Sequence, residues 1–152
     1  MNGNLIIKNA SQLVTCSGFA AKKGEDMADL HIVSDGAVVI EAGVIKAVGA
    51  TSDIDAGLKK SGADLSAFDI VDARNKTVLP GFVDSHTHFV FGGYRPEEFS
   101  WRLRGDRYLD IMKRGGGIVN TVNATRRSGF QELVQSGIRR LDSMLSFGVT
   151  TV

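Results

Sequence analysis

The sequence predicts an α/β chain in two parts: an antiparallel β unit up to residue 77, then a strand, helices and a second strand of a parallel array. Three observations carry this. Short alternating apolar pieces separated by turn signals run from Leu5 to Ala73; Pro80-Gly81 breaks that pattern; and a long amphipathic stretch from Phe130 leads into the β-branched "VTTV". With 43% hydrophobic and 23% charged residues in 152, the chain can bury a core and is neither disordered nor collagen-like.

Taken in order, "LIIKNA", "LHIVSDGAVVIEAGVIKAVGA" and "FDIVDA" read as strands, with Asp35-Gly36 and Ala42-Gly43 as turns. "SGFAAKKGEDMA" reads as a polar loop and "TSDIDAGLKKSGADLSA" as an irregular or helical excursion. His31 falls within one of the strands without a metal-type partner and is expected to be structural or at the surface. "LPGFVDSHTH" is a strand running into a functional end. The stretch from Pro96 to Gly129 suggests short helices interrupted at Gly105 and at Gly115-Gly116-Gly117. Ser128 with Gln131 fits a capping box, and Phe130, Leu133, Val134, Ile138, Leu141 and Leu145 recur on one helical face up to Gly148. Strand, helices, strand is a βαβ unit of a parallel sheet. A complete (β/α)8 barrel takes about 250 residues, so the expectation is the N-terminal piece of a longer polypeptide, with an independent small α+β domain as the alternative.

Composition excludes several function classes. Eighteen basic and seventeen acidic residues leave a formal charge of +1, and no basic stripe is interleaved with aromatics, so no nucleic-acid partner is expected. No basic leader followed by an apolar run opens the chain and no stretch of about eighteen apolar residues occurs, so no membrane partner is expected and the chain reads as cytoplasmic. Cys16, the single cysteine, cannot form an intramolecular disulfide and reads as a small, partly buried apolar residue.

The chemistry concentrates in "VLPGFVDSHTHFVFGG". On a strand, His86 and His88 point to the same face, with Cα atoms roughly 6–7 Å apart, and both can reach one ion. A catalytic site of this kind wants at least three protein ligands, and the stretch supplies two. A solvated patch or a hydrogen-bonded core pair is the structural alternative. Asp84, two residues before His86, either fixes an imidazole tautomer or bonds nearby loop backbone. The triple glycine lacks the spacing of a phosphate-binding loop and reads as a flexible start to a helix, its amides at most bordering a substrate channel. Tyr94 and Trp101 read as packing residues.

"PGFVDSHTH" resembles the first barrel strand of the amidohydrolase superfamily, whose members pair a metal-bearing (β/α)8 barrel with a small β-sandwich. The resemblance implies that residues 1–77 are the N-terminal part of the sandwich and 78–152 the first strand, helices and second strand of an incomplete barrel. Within the superfamily, "HTHFVFGGYRPEEF" and "RGGGIVNTVNATR" are similar to the imidazolonepropionase family of histidine degradation. That similarity implies hydrolytic ring opening of 4-imidazolone-5-propanoate to N-formimidoyl-L-glutamate by metal-activated water. It implies that His86 and His88 are the first two ligands of a single zinc or iron ion, with the remaining ligands and the general base beyond Val152. It also makes Arg95 a substrate-binding residue. Gly92 and Gly93 allow a tight turn, and a guanidinium beyond them can grip a carboxylate with two parallel bonds, although without the resemblance Arg95 reads as an exposed loop residue. A homodimer is left open. The competing readings are another amidohydrolase, such as a heterocycle aminohydrolase, for which "FGGYR" has no obvious use, and a non-catalytic relative acting as an assembly protein. The piece alone is expected to be inactive.

Overall fold

The computed structural model describes residues 3–152 and is α/β, dividing into two compact units between Pro80 and Gly81. The first unit is a mixed sheet with one covering helix. Strand β1 (Leu5–Val14) pairs antiparallel with β2 (Ile32–Glu41), which pairs antiparallel with β3 (Val44–Ala50) across the expected Ala42-Gly43 turn. On the other edge of β1 lie β4 (Asp69–Asp72) along its first half and β5 (Thr77–Val78) along its second, both parallel to it. The unit is therefore not purely antiparallel. The connection from β3 to β4 passes through α1 (Thr51–Ser61) and returns the chain in the same direction as β1, as a crossover does and a hairpin does not.

Asp35-Gly36 is not a turn either. β2 runs straight through it, with Asp35 at φ +46°, and the register against β1 shifts between Ile7 and Ala10. The extra residue lies on β1 at Asn9, φ +61°, a conformation asparagine tolerates. The Asn9 amide donates to the Thr51 hydroxyl at 3.0 Å and its side-chain amide to Asp72 Oδ1 at 3.0 Å. His31 lies just before β2 rather than inside it, exposed, with Nε2 3.1 Å from Asp29 Oδ2. Cys16 is exposed rather than partly buried.

The core forms on both faces of β1. Ala10, Leu13, Val38 and Ala73 cluster together, with Ile7, Val33, Ile40 and Val78 packed against them. Ile6 lies two residues before Lys8, whose ammonium reaches Asp55 of α1 at 3.1 Å, so Ile6 shares the helix-facing side. Burying a side chain such as Ile6 contributes about 1.5–3 kcal/mol.

The second unit begins with β6 (Phe82–Val83) and ends with β7 (Val149–Thr151), paired parallel. Between them come α2 (Pro96–Leu103), α3 (Tyr108–Lys113), α4 (Ile118–Arg127) and α5 (Phe130–Ser146). The breaks at Gly105 and Gly115 to Gly117 separate α2 from α3 and α3 from α4, as the sequence predicts. The capping box is absent: Gly129 is the N-cap of α5 without a side-chain cap, and Ser128 instead ends α4, its amide bonded to Ala124 O at 3.0 Å. On α5, Leu133, Val134 and Leu141 are half-buried, but Phe130, Ile138 and Leu145 of the predicted apolar face are exposed. Among the described residues no helix is long and apolar enough to cross a membrane.

Candidate functional site

The site is built on the segment that follows β6. The strand is short: after Val83 a single further ladder bond, Asp84 N–H to Thr151 O at 2.9 Å, ties the chain to β7. His86 and His88 consequently sit on a loop and not on a strand. Their rings still meet, with Nε2 to Nε2 3.3 Å and centroids 5.2 Å apart. Two nitrogens each about 2.0–2.1 Å from one tetrahedral ion would be separated by about 3.3–3.4 Å, so the donor pair fits two corners of such an ion. Among the described residues no group of three His, Cys, Asp or Glu side chains converges in that way. Asp84 takes the backbone role: its Oδ1 accepts from the His86 amide at 3.1 Å, an Asx turn that bends the chain at the first histidine.

From His88 the chain runs along a cavity of about 570 Å³ whose walls include His88, Phe91, Tyr94, Arg95, Glu98 and Phe99. That volume lies within the range of small-molecule sites, about 300–1,000 Å³. Arg95 is the N-cap residue of α2, followed by Pro96 at the first helical position and by Glu97 and Glu98 in the first turn, where carboxylates complement the helix dipole. Arg95 Nη1 lies 3.3 Å from Glu98 Oε2, and the Glu98 side chain is only 13% exposed against 37% for Arg95. Glu98 therefore anchors one N–H of a guanidinium whose other donors remain available.

Glu98 was not visible as a site residue in the sequence, where "PEEF" reads only as a helix start. Its second oxygen, Oε1, accepts from the Gly117 amide at 2.8 Å. The triple glycine is thus pinned rather than flexible. Gly117 has φ +72°, and a Cβ on Gly116 would lie 2.7 Å from Ile111 Cγ2 and 2.9 Å from Glu98 Oε1. Glu98, to which Gly117 is bonded, lines the cavity.

The loop between His88 and Arg95 is held from two helices. From α4, the Thr125 hydroxyl accepts from the Gly92 amide at 3.0 Å while donating to Thr121 O at 2.8 Å. A Cβ on Gly93, φ +73°, would lie 2.8 Å from Ala124 Cβ, so the tight turn expected at Gly92-Gly93 also needs the missing side chains for close approach. From α5, Arg140 donates to the carbonyls of Phe89 and Phe91 at 2.9 and 3.1 Å and to the Tyr94 hydroxyl at 3.1 Å. Sequence reasoning missed Arg140, because one arginine of "IRRLD" carries no mark that distinguishes it from its neighbour. Tyr94, 73% exposed and part of the cavity wall, meets Phe91 edge to face at 5.7 Å, and Trp101 lies under the Arg114 guanidinium at 5.5 Å.

A family model described as "Amidohydrolase family" matches residues 69–126. The imidazolonepropionase of Clostridium tetani is 59% identical over 150 residues, covering 99% of this chain and 35% of that protein. Those of Parabacteroides distasonis and Porphyromonas gingivalis are 54% and 50% identical, covering 99% and 98% of this chain and 35% and 34% of theirs. Over its whole length, this chain resembles the N-terminal third of the imidazolonepropionases. It spans about a third of the length of these curated relatives. Among solved structures, E. coli Guanine Deaminase matches with a TM-score of 0.46 at 20% identity, over 64% of this chain and 20% of that one. The imidazolonepropionase likeness read from "HTHFVFGGYRPEEF" thus extends well beyond that motif.

Proposed function

We propose that this chain carries the opening part of the active site of an imidazolonepropionase, a metal-dependent hydrolase that converts 4-imidazolone-5-propanoate to N-formimidoyl-L-glutamate. The observation that carries the reading is that His88, of a histidine pair spaced for one ion, and Arg95, a cation able to bind a carboxylate, line the same cavity. The identity of 59% to an imidazolonepropionase over nearly the whole chain supports the choice of substrate.

In this reading His86 and His88 hold a zinc or iron ion together with ligands from sequence that the longer relatives have and this chain does not. When bound, such an ion would activate water at neutral pH and polarise the ring carbonyl. Water adds to that carbonyl carbon and the ring amide C–N bond breaks; the carbon becomes a carboxylate and the nitrogen stays in the formimidoyl group. Arg95, steadied by Glu98, binds the propanoate by charge-assisted hydrogen bonds and so fixes which ring atom faces the histidine pair. The Asx turn at Asp84 holds the backbone between β6 and the first imidazole. No side chain of this chain is assigned the proton transfers. The first unit belongs to a small β-sandwich, the second to the start of a (β/α)8 barrel, and the protein works in the cytoplasm.

The test is steady-state hydrolysis by the complete protein of imidazolone propanoate and of an imidazolone lacking the carboxylate. Turnover of the first and poor handling of the second are expected. Arg95→Met should lower kcat/KM on the propanoate at least tenfold, the loss of about 1.5–3 kcal/mol that one charged hydrogen bond represents, with bound metal retained. Arg95→Lys should rescue only in part, because a point charge cannot reproduce a planar two-bond grip. Absence of turnover, or an equal loss on both substrates, contradicts the assignment.

A further inference from the structure

We propose that Arg140 is a positioning residue: it holds the main chain between His88 and Arg95 so that both side chains face one cavity. The inference rests on the functional reading above for its consequence, and on geometry for its content. Arg140 lies on α5, half-buried, and spends its guanidinium on one short segment. Nη1 donates to Phe89 O and Phe91 O, two carbonyls on the same side of the chain, and Nη2 donates to the Tyr94 hydroxyl. The guanidinium carbon lies 3.6 Å from the centroid of the Phe91 ring and 5.3 Å from that of Tyr94.

One planar cation therefore satisfies two main-chain acceptors, a phenol oxygen and two aromatic faces, a combination that a lysine ammonium cannot match. The close approach is prepared one turn earlier on the helix. Gly137 is buried, and a Cβ there would lie 3.3 Å from Val90 Cγ2, so α5 lies directly against the loop. No other side chain ties the loop carbonyls among the hydrogen bonds of the described residues; Thr125 holds only the Gly92 amide, from the opposite helix. Without Arg140, Phe89 O and Phe91 O lose their partners, and the path from His88 to Arg95 is free to relax. Arg140 does not itself line the cavity; it contacts Phe91 and Tyr94, which do, so its effect passes through the loop that carries His88 and Arg95.

The experiment uses the complete protein with Arg140→Met and Arg140→Lys. Exchange of the Gly92 amide, the hydrogen-bonded amide of this loop, should speed up about tenfold in the methionine variant, the scale of one lost charge-assisted hydrogen bond, and less in the lysine variant, with the sheet of the first unit unchanged. KM for imidazolone propanoate should rise by a similar factor while kcat per bound metal changes much less. Combining Arg140→Met with Arg95→Met should cost less than the sum of the two single losses, because part of the Arg140 effect runs through Arg95. Unchanged exchange of the Gly92 amide overturns the proposal, as does a loss of kcat and melting temperature with KM untouched, which a merely structural arginine would give. Fully additive losses in the double variant overturn it too. If the wild-type protein does not hydrolyse the substrate, the functional reading fails, and the exchange measurement alone decides whether Arg140 holds the loop.

Discussion

The two units are stabilised by different means. In the first, Ile6, Ala10, Leu13, Ala37, Val38, Val39 and Ala73 are buried; in the second, Ile111 is the buried apolar residue among those described. Both units leave large apolar side chains exposed, Ile45 and Ile70 in the first and Phe130 and Phe147 in the second, but the second holds its loops by specific polar ties: Arg140 to Phe89 and Phe91, Thr125 to Gly92, Glu98 to Gly117 and Asp84 to His86. Apolar packing is non-directional and tolerates shape-preserving exchange, whereas hydrogen bonds fix orientation. These ties lie along or against the segment from Asp84 to Glu98, which carries both imidazoles and lines the cavity with His88 and Arg95.

The comparison can be sharpened by mutation. Leu13→Ala removes a side chain 3% exposed from the first core and should destabilise by about 2–5 kcal/mol, read by urea unfolding; a cost under about 1 kcal/mol would mean that this core is not what holds the sheet. Thr125→Val keeps the shape but leaves the Gly92 amide without its acceptor. It should cost about 1–3 kcal/mol, with faster exchange of that amide as the second readout. A neutral result would show that the polar ties are ornament. Phe130→Ser, at a position 76% exposed, should change the stability of this chain by no more than about 0.5 kcal/mol, measured in the same way; a large loss would place a hidden core under α5.

The smallest effect is an acid one, in the first unit. The Asp72 carboxyl is held down to about 2, chiefly by the Arg74 side chain and then by that of Asn9. A lowered folded value means that the contribution is complete above the unfolded value of about 3.9 and is lost as pH falls from there through about 2. Asp72→Asn should flatten the stability profile across that window and leave its shape above pH 5 unchanged; an unaltered profile would show that the Asp72 charge, held by Arg74 and Asn9, contributes nothing.

Local chemistry made much of this legible. Glycines at 105 and 115–117 punctuated the helices, Ala42-Gly43 set the hairpin of β2 and β3, and β-branched residues after Gly148 became β7, parallel to β6. What the sequence could not show was set by distant pairing. Asp35-Gly36 has turn chemistry, yet β1 on one side and β3 on the other keep β2 continuous, and the irregularity is absorbed at Asn9. Ser128 lost its predicted capping role because α4 claims it as a terminus. The histidine rings share a side as alternation suggested, although the Asx turn at Asp84, rather than a strand, brings them there. Glu98 and Arg140 stayed hidden because each also holds backbone groups far along the chain, Gly117 N–H and the carbonyls of Phe89 and Phe91, to which residue type gives no pointer.

The central claim is that the second unit's histidine pair holds the reactive ion. The most direct measurement is metal content by mass spectrometry of the purified complete protein, wild type against His86→Ala and His88→Ala, with hydrolysis of imidazolone propanoate followed on the same samples. The account predicts one zinc or iron per chain in the wild type, and loss of metal and turnover together in each variant, because either change removes one of the two imidazoles now 3.3 Å apart. Full metal content with full activity in either variant would contradict it and leave His86 and His88 as a structural pair.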